Sequence, residues 1–468
     1  MNKLVEATLS KNSKTANGMT TNSTSLNKCL DLFFIAGASR RMEEEDIIKM
    51  FSGALAENQN IALKILFWAR DVRGGAGERR FFRICMLWLS ENYPDISANV
   101  TEHIPEFGRW DDIFYGDTDT SIQEIVWALG SANALCAKWM PRKGPVANQI
   151  RKALGLTPKE YRKSLVALTN VVESQMCKKQ WDKIDYSAVP SIAFSRYRNA
   201  FWKNDNDRFN EFLSDVKEGK QKINANAIFP HDIIRPYLNM SKGSDDAITE
   251  QWNALPNYME GSTENILPVC DVSGSMEGLP MEVSVALGIY ISERNEGTFK
   301  DAFITFSSNP TMEYLKGDVW ERTRQLSLAD WGMTTDLEKT FDLILDSAVR
   351  DNVPQSQMPN KLLIISDMEF NQATSSRWGY DNSEWNPTAM EMVKEKYTNA
   401  GYEMPGIVFW NVNGRMGNVP TKAETENTAL VSGFSPAILT SILGGELPTP
   451  LEVMFQTLNN ERYECIKA

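Results

Sequence analysis

The side chains best placed to do chemistry are oxygen donors: Asp271, Ser273 and Ser275 in the run DVSGSM, Thr335 in WGMTTD, and Asp367 at the end of LLIISD. Carboxylates and hydroxyls are hard ligands, suited to Mg²⁺ or Mn²⁺ in an octahedral shell at roughly 2.0–2.1 Å for Mg²⁺. With two carboxylates near the ion, directly or through water, and neutral hydroxyls elsewhere, the cation stays electron-poor and can accept a carboxylate from a partner. Other metal chemistry has little material. Only His103 and His231 are present, and Cys29, Cys85, Cys136, Cys177, Cys270 and Cys465 are scattered without a CxxC pair. They read as reduced core residues. A plainer reading of the donors also stands: DVSGSM is a strand end with a Ser/Gly turn, and Asp367 a helix cap.

Such donors act together only if the chain brings them to one edge. Downstream of residue 264, short apolar runs alternate with helices: ILPVCD (266–271), a helix over 280–294, DAFITFS (301–307), a helix over 335–349, LLIISD (362–367), a helix near 387–400, GIVFWNV (406–412), TALVS (428–432) and a helix after Ser435. That alternation predicts a doubly wound, mostly parallel sheet, which binds ligands at the carboxyl ends of its strands. Asp271 and Asp367 close strands, Thr335 opens a helix, and Gly274 and Gly278 permit a tight turn.

The first half has a different character. Residues 1–25 are rich in Ser, Thr, Asn and Lys and read as a flexible arm. Residues 26–245 carry apolar positions at helical spacing, as in 61–70, 79–93 and 159–178, and predict an all-helical, HEAT-like solenoid or ring. A Gly/Ser/Asp/Pro-rich stretch, 246–263, reads as a linker to the domain at 264–468. The loop Arg73-Gly-Gly-Ala-Gly-Glu78 is an interhelical turn rather than a phosphate loop, because no Lys-Ser/Thr pair follows and no strand precedes it. Arg70, Asp71, Arg73, Glu78 and Arg79 around it can form an ion-pair network, and Gly108-Arg109-Trp110-Asp111-Asp112 reads as a helix start. His231 reads as a satisfied buried histidine.

The order DxSxS, then Thr in a Gly-containing loop, then Asp ending the next core strand resembles the metal-ion-dependent adhesion site of von Willebrand factor A domains. That resemblance covers 264–468 and implies a Rossmann-like sheet and a metal held by Asp271, Ser273, Ser275, Thr335 and Asp367. Thr335 is preferred to Thr334 because it precedes Asp336, matching the family's Thr-Asp pair. LKILFWARDVRGGAGER (63–79), FGRWDDIF (107–114), KWMPRKG (138–144), 180–201 and IFPHDII (228–234) resemble a family that joins such a domain to helical repeats. That family is in turn distantly similar to the TROVE (Ro autoantigen) proteins, which implies a helical ring closed by the A domain and RNA as ligand.

Charge separates the halves. The net charge of the chain is −12. Residues 1–246 hold 34 basic and 30 acidic residues, whereas 247–468 hold 15 and 31. The stretch 138–222 is the basic one, with 18 against 9, and anionic partners should meet the protein there. Lys138, Arg142, Lys143, Arg151, Lys152, Lys178, Lys179, Lys183, Arg196, Arg198 and Lys203 lie among Trp139, Trp181, Tyr186, Tyr197 and Trp202. Cations hold phosphates and aromatic faces stack unpaired bases; equally, amphipathic helices carry Lys and Arg on a solvated face and bury tryptophan between them.

These features predict a non-catalytic, RNA-binding or ribonucleoprotein scaffold with a Mg²⁺-dependent adhesion site. The alternatives are a purely protein-binding adaptor, serving a chaperone-like ATPase, and a metal-dependent hydrolase, for which no positioned base or second-metal cluster is visible. With no membrane span and no secretory leader in the sequence, a cytoplasmic location is expected.

Overall fold

The computed structural model describes residues 13–169, 171–238, 243–306, 310–327, 335–372 and 388–468. Two short strands, β1 (Ser13–Lys14) and β2 (Thr20–Thr21), make an antiparallel hairpin. Helices then run from Lys28 to Asn253. The first four are α1 (Lys28–Ala36), α2 (Glu44–Glu57), α3 (Gln59–Arg70) and α4 (Arg79–Asn92). Local chemistry starts them: Asn27 and Asn58 accept from the backbone N–H of Leu30 (2.8 Å) and Ile61 (3.1 Å), satisfying donors that a first turn leaves free. Packing then holds them, since Phe33, Phe34, Phe67 and Trp68 are buried in one core. The predicted helix over 159–178 is divided into Pro158–Leu168 and Val172–Cys177. Thr169 ends the first piece in an extended conformation, its hydroxyl donating to Leu165 O at 2.6 Å in competition with the helical ladder.

A mostly parallel six-stranded sheet forms the second part. Its strands are β3 (Ile266–Asp271), β4 (Ala302–Phe306), β5 (Thr311–Tyr314), β6 (Lys361–Ser366), β7 (Gly406–Asn411) and β8 (Thr428–Ser432), in the order β5-β4-β3-β6-β7-β8. Only β5, short and partly exposed at the edge, runs antiparallel to its neighbour; it is too polar and brief to be read from sequence. Every residue of β3, β6, β7 and β8 is buried, as expected where helices cover both faces. The helix expected after Ser435 is the α-helix at Pro450–Leu458, behind a Thr449/Glu452 capping box, preceded by a 3₁₀ turn over Pro436–Ser441.

The two parts share one hydrophobic core that includes Leu30, Trp68, Ile364 and Ile466, with a smaller cluster around Phe194, Phe201, Phe209 and Phe212. Their backbones touch: Gly37 N donates to Ser432 Oγ at 3.1 Å, and a Cβ at Gly37 would stand 2.5 Å from Ser432 O. The stretch expected as a linker begins with a helix, Asp246–Asn253, whose Ile248 and Trp252 enter the main core. Trp252 Nε1 also donates to Glu293 Oε2 at 2.6 Å. Residues 13–25, expected in a flexible arm, lie against the sheet domain: Met19, Thr15, Thr21 and Asn22 are buried, and Asn22 bridges Val419.

Ion pairs reinforce the helical part. Asp112 Oδ2 takes Arg70 Nε (2.8 Å) and the backbone N–H of Arg109 (2.9 Å), and Asp112 Oδ1 takes Arg83 Nε (2.6 Å). Arg109 and Arg83 both clasp Asp111. Asp71 reaches across the molecule to Arg462 Nη2 (2.8 Å) and Tyr463 OH (3.0 Å), and Glu78 binds Arg40 (2.6 Å). Cys29, Cys85, Cys136 and Cys270 are core residues as expected, but Cys177 and Cys465 are exposed. His231 is buried between Phe229 and Phe434 as predicted, yet its Nδ1 has no hydrogen-bond partner among the described residues. Among the described residues no helix is long and apolar enough to cross a membrane.

Candidate metal centre

The sheet order reverses direction around β3 and β6, which lie side by side with Cys270 opposite Ile365. A crevice at the carboxyl ends of this pair is where open α/β sheets bind ligands. Asp271 is the last residue of β3, and Ser366 ends β6 one residue before Asp367. Ser366 Oγ donates to Asp271 Oδ2 at 2.6 Å and receives Met368 N at 2.9 Å, which ties the two strand ends together. Met368 occupies the left-handed region, φ +64°, so the chain turns sharply just past Asp367.

Asp271 Oδ1 takes the Ser273 N–H at 2.9 Å, folding the DVSGS turn back, and the Ser273 and Ser275 hydroxyls stand 3.1 Å apart. Thr335 reaches the same edge because its carbonyl accepts from Asn371 N at 2.9 Å, while Asp336 caps the helix Leu337–Arg350 by accepting from Lys339 N. Thr334 lies outside the described residues. Asp271, Ser273, Thr335 and Asp367 are buried and Ser275 is half-buried.

Two atoms here lack what buried polar atoms almost always have. Among the described residues, Thr335 Oγ1 and Asp367 Oδ2 have no hydrogen-bond partner, although Asp367 Oδ1 accepts from Glu369 N at 3.2 Å. Burial, followed by the neighbouring Asp367 carboxylate, pushes the Asp271 carboxyl well above its usual range, and burial raises Asp367 too. Two carboxylates so placed either hold a proton or share a cation. Orphaned oxygens beside paired acids, with hydroxyls completing the edge, fit a hard divalent ion. Among the described residues no group of three or more His, Cys, Asp or Glu side chains is placed to hold a metal ion; this set has two carboxylates and three hydroxyls.

The rim contains residues that the sequence reading missed. Buried Glu369 is held by Asn418 Nδ2 (3.3 Å) and the Ala16 backbone N–H, and it faces Arg415 Nη1 at 3.5 Å. Arg415 Nη2 lies 4.0 Å from Asp367 Oδ2. The β1–β2 hairpin straps this edge through Thr15 Oγ1 to Phe370 O and Asn17 Nδ2 to Glu369 O, both 2.6 Å. The acid two residues past Asp367 was visible in the run DMEF; nothing local pointed to Arg415 or to the hairpin.

The basic stretch divides into two sets. Arg142, Lys143, Lys152, Lys178, Lys179, Lys183, Arg196 and Lys203 are exposed. Arg198, predicted to contact nucleic acid, is instead buried and paired with Asp245 at 3.3 Å, because its helix turns that face toward the Phe194/Phe201 cluster. Arg151 is half-buried and bonded to Asn148 Oδ1 (2.9 Å), and Lys138 lies 3.7 Å from Glu173. Trp139 sits under Arg109 at 4.1 Å, Tyr186 is core, Trp181 and Tyr197 are half-buried, and Trp202 is 61% exposed.

The family described as a domain of unknown function, DUF2828, matches residues 15–106 and 117–263. A curated relative, the uncharacterized protein L728 of Acanthamoeba polyphaga mimivirus, is 31% identical over 95% of this chain and 86% of its own length. The chain is a DUF2828 protein. A second domain of unknown function, DUF7788, matches residues 265–463 and contains all five candidate ligands. The DUF2828 region contains the helical part with its basic stretch, and it starts within the hairpin that reaches the DUF7788 rim. Likeness to the viral protein extends across both regions.

Proposed function

We propose that this DUF2828 protein is a non-catalytic scaffold whose C-terminal domain is a von Willebrand factor A-type adhesion module. Asp271 and Asp367 would hold a Mg²⁺ or Mn²⁺ ion, directly or through water, with Ser273, Ser275 and Thr335. When bound, the cation supplies a Lewis-acidic point for a carboxylate of a protein partner. The observation that carries this reading is the pair of buried, partnerless oxygens, Thr335 Oγ1 and Asp367 Oδ2. Leaving each unsatisfied costs about 1–3 kcal/mol, and a cation removes that cost. The Ser366 bridge and the Asn371 contact bring three separated segments to this one edge. Calorimetric titration with Mn²⁺ tests it: saturable binding in the parent and none in Asp271→Ala is the expected result, and equal binding in both overturns it.

The helical part, in this proposal a HEAT-like array related to the TROVE ring, holds RNA on its basic face. The exposed Arg142, Lys143, Lys178, Lys179, Arg196 and Lys203, beside the exposed Trp202, support this. Co-purifying absorbance that nuclease removes, and affinity that falls steeply with salt, are expected. The alternative, a purely protein-binding adaptor, draws support from Arg198, Arg151 and Lys138, whose partners are within the protein. An EDTA-sensitive complex without nucleic acid would decide for it, whereas phosphate-ester turnover that vanishes in Asp271→Ala would overturn the non-catalytic assignment.

A further inference from the structure

We infer that Arg415 is the second cationic point of an anion receptor, gripping one oxygen of an incoming carboxylate while the metal takes the other. This inference rests on the divalent site proposed above. Arg415 stands on the segment between β7 and β8, beyond the same carboxyl edge that carries Asp271 and Asp367. Its guanidinium lies 4.0 Å from Asp367 Oδ2 and 3.5 Å from Glu369 Oε1, both longer than the ~2.7–2.9 Å of a charge-assisted hydrogen bond. Among the described residues, the five N–H donors of this side chain, 45% exposed, are therefore largely unspent.

The segment is nonetheless held in place. Gly414 N donates to Ala38 O at 2.9 Å, where a Cβ would meet Ile35 at 2.9 Å. Ser13 Oγ donates to Gly417 O, Thr21 Oγ1 to Asn418 Oδ1 (3.0 Å), and Asn418 Nδ2 to Met368 O (2.9 Å). The helical part and the N-terminal hairpin thus position a half-exposed guanidinium beside the ligand carboxylate. A backbone already fixed at both ends of Arg415 reduces what must be ordered on binding, and the planar guanidinium matches a carboxylate. The ligand class is a carboxylate presented by a protein, an Asp or Glu side chain.

The test uses the full chain, Mn²⁺ and acetate. Water-proton relaxation first measures Mn²⁺ affinity, then the acetate concentration that displaces metal-bound water. Arg415→Ala should weaken acetate at least about tenfold, the loss of one charge-assisted contact. Mn²⁺ affinity should be unchanged or tighter, because a neighbouring positive charge has gone. Arg415→Lys, which keeps the charge but not the fork, should fall between. Acetate affinity within twofold of the parent in Arg415→Ala overturns this inference and leaves the metal reading intact. A parallel collapse of Mn²⁺ binding would make Arg415 a structural residue and overturn it as well. Failure of the parent to bind Mn²⁺ sinks the metal reading and this inference together.

Discussion

Asp112 and Asp367 are both carboxylates removed from water, yet the protein provides for them in opposite ways. Around Asp112 every need is met: Arg70, Arg83 and the Arg109 backbone N–H supply donors to both oxygens. Burial works against the charge there, but Arg70 first, then the Arg109 N–H and Arg83, hold the Asp112 carboxyl below its usual range. Around Asp367 one oxygen has no hydrogen-bond partner among the described residues; burial raises both its carboxyl and that of Asp271, and the Asp367 charge raises Asp271 further. Balanced charge of the first kind suits a structural role; the imbalance of the second kind is what the proposed cation would relieve.

The largest expected effect breaks the balanced side. Asp112→Ala leaves Arg70, 3% exposed, without its carboxylate and should cost roughly 3–5 kcal/mol in urea denaturation. Asp271→Asn, measured in EDTA, should lie within about 1 kcal/mol of the parent or above it, since it removes one of two mutually repelling buried charges. If both cost the same, the contrast between the two regions is empty.

Next in size is the response to the proposed cation. Magnesium at a hundred times its Kd should stabilise the parent by about 2.7 kcal/mol in thermal melts, with no shift in Asp271→Asn or Asp367→Asn.

His231 supplies a third kind of buried polar group, stacked on Phe229 and unpaired at Nδ1. Burial, then Arg40 and Arg235, hold its imidazole well below the ordinary value of 6.5. The unfolded chain therefore takes up a proton that the folded one refuses. Stability is full above pH 6.5 and falls below it by at most about 1.4 kcal/mol per pH unit from this group. Denaturation of His231→Gln between pH 7 and 5 should show that slope removed; an unchanged slope would place the acid sensitivity elsewhere.

The smallest expected change in stability is at the exposed basic face. Arg142→Glu with Lys143→Glu should shift stability by no more than about 0.5 kcal/mol, while RNA affinity drops and its salt dependence becomes shallower. RNA binding unaffected by this reversal would overturn the proposed role of these residues.

Much of this was legible along the chain. Runs such as ILPVCD and LLIISD are buried at every position, so their apolar character reported the strands directly, and Asp271 and Asp367 follow from where those runs stop. The helix expected over 280–294 occupies Leu279–Arg294 for the same reason. Short-range patterns failed where contacts are distant. The Ser/Thr/Asn-rich stretch before Leu26 looks unstructured by composition, but hydrogen bonds to Glu369, Phe370, Asn418 and Val419 order it from Ser13 onward. Arg198 and Arg196 look alike in sequence, and only the position of the phenylalanine cluster buries one and exposes the other.

Residue type and periodicity alone determined that hard oxygen donors end parallel strands, that helices precede them, and that positive charge gathers in 138–222. Those are properties of the local chain, set by the spacing of apolar side chains and the chemistry of individual groups. The tertiary structure decided which donors remain unsatisfied, that Glu369 and Arg415 share the rim, and that the first strand pair straps it. Satisfaction and proximity depend on partners from tens to hundreds of residues away, and such pairings are fixed only when the whole core closes.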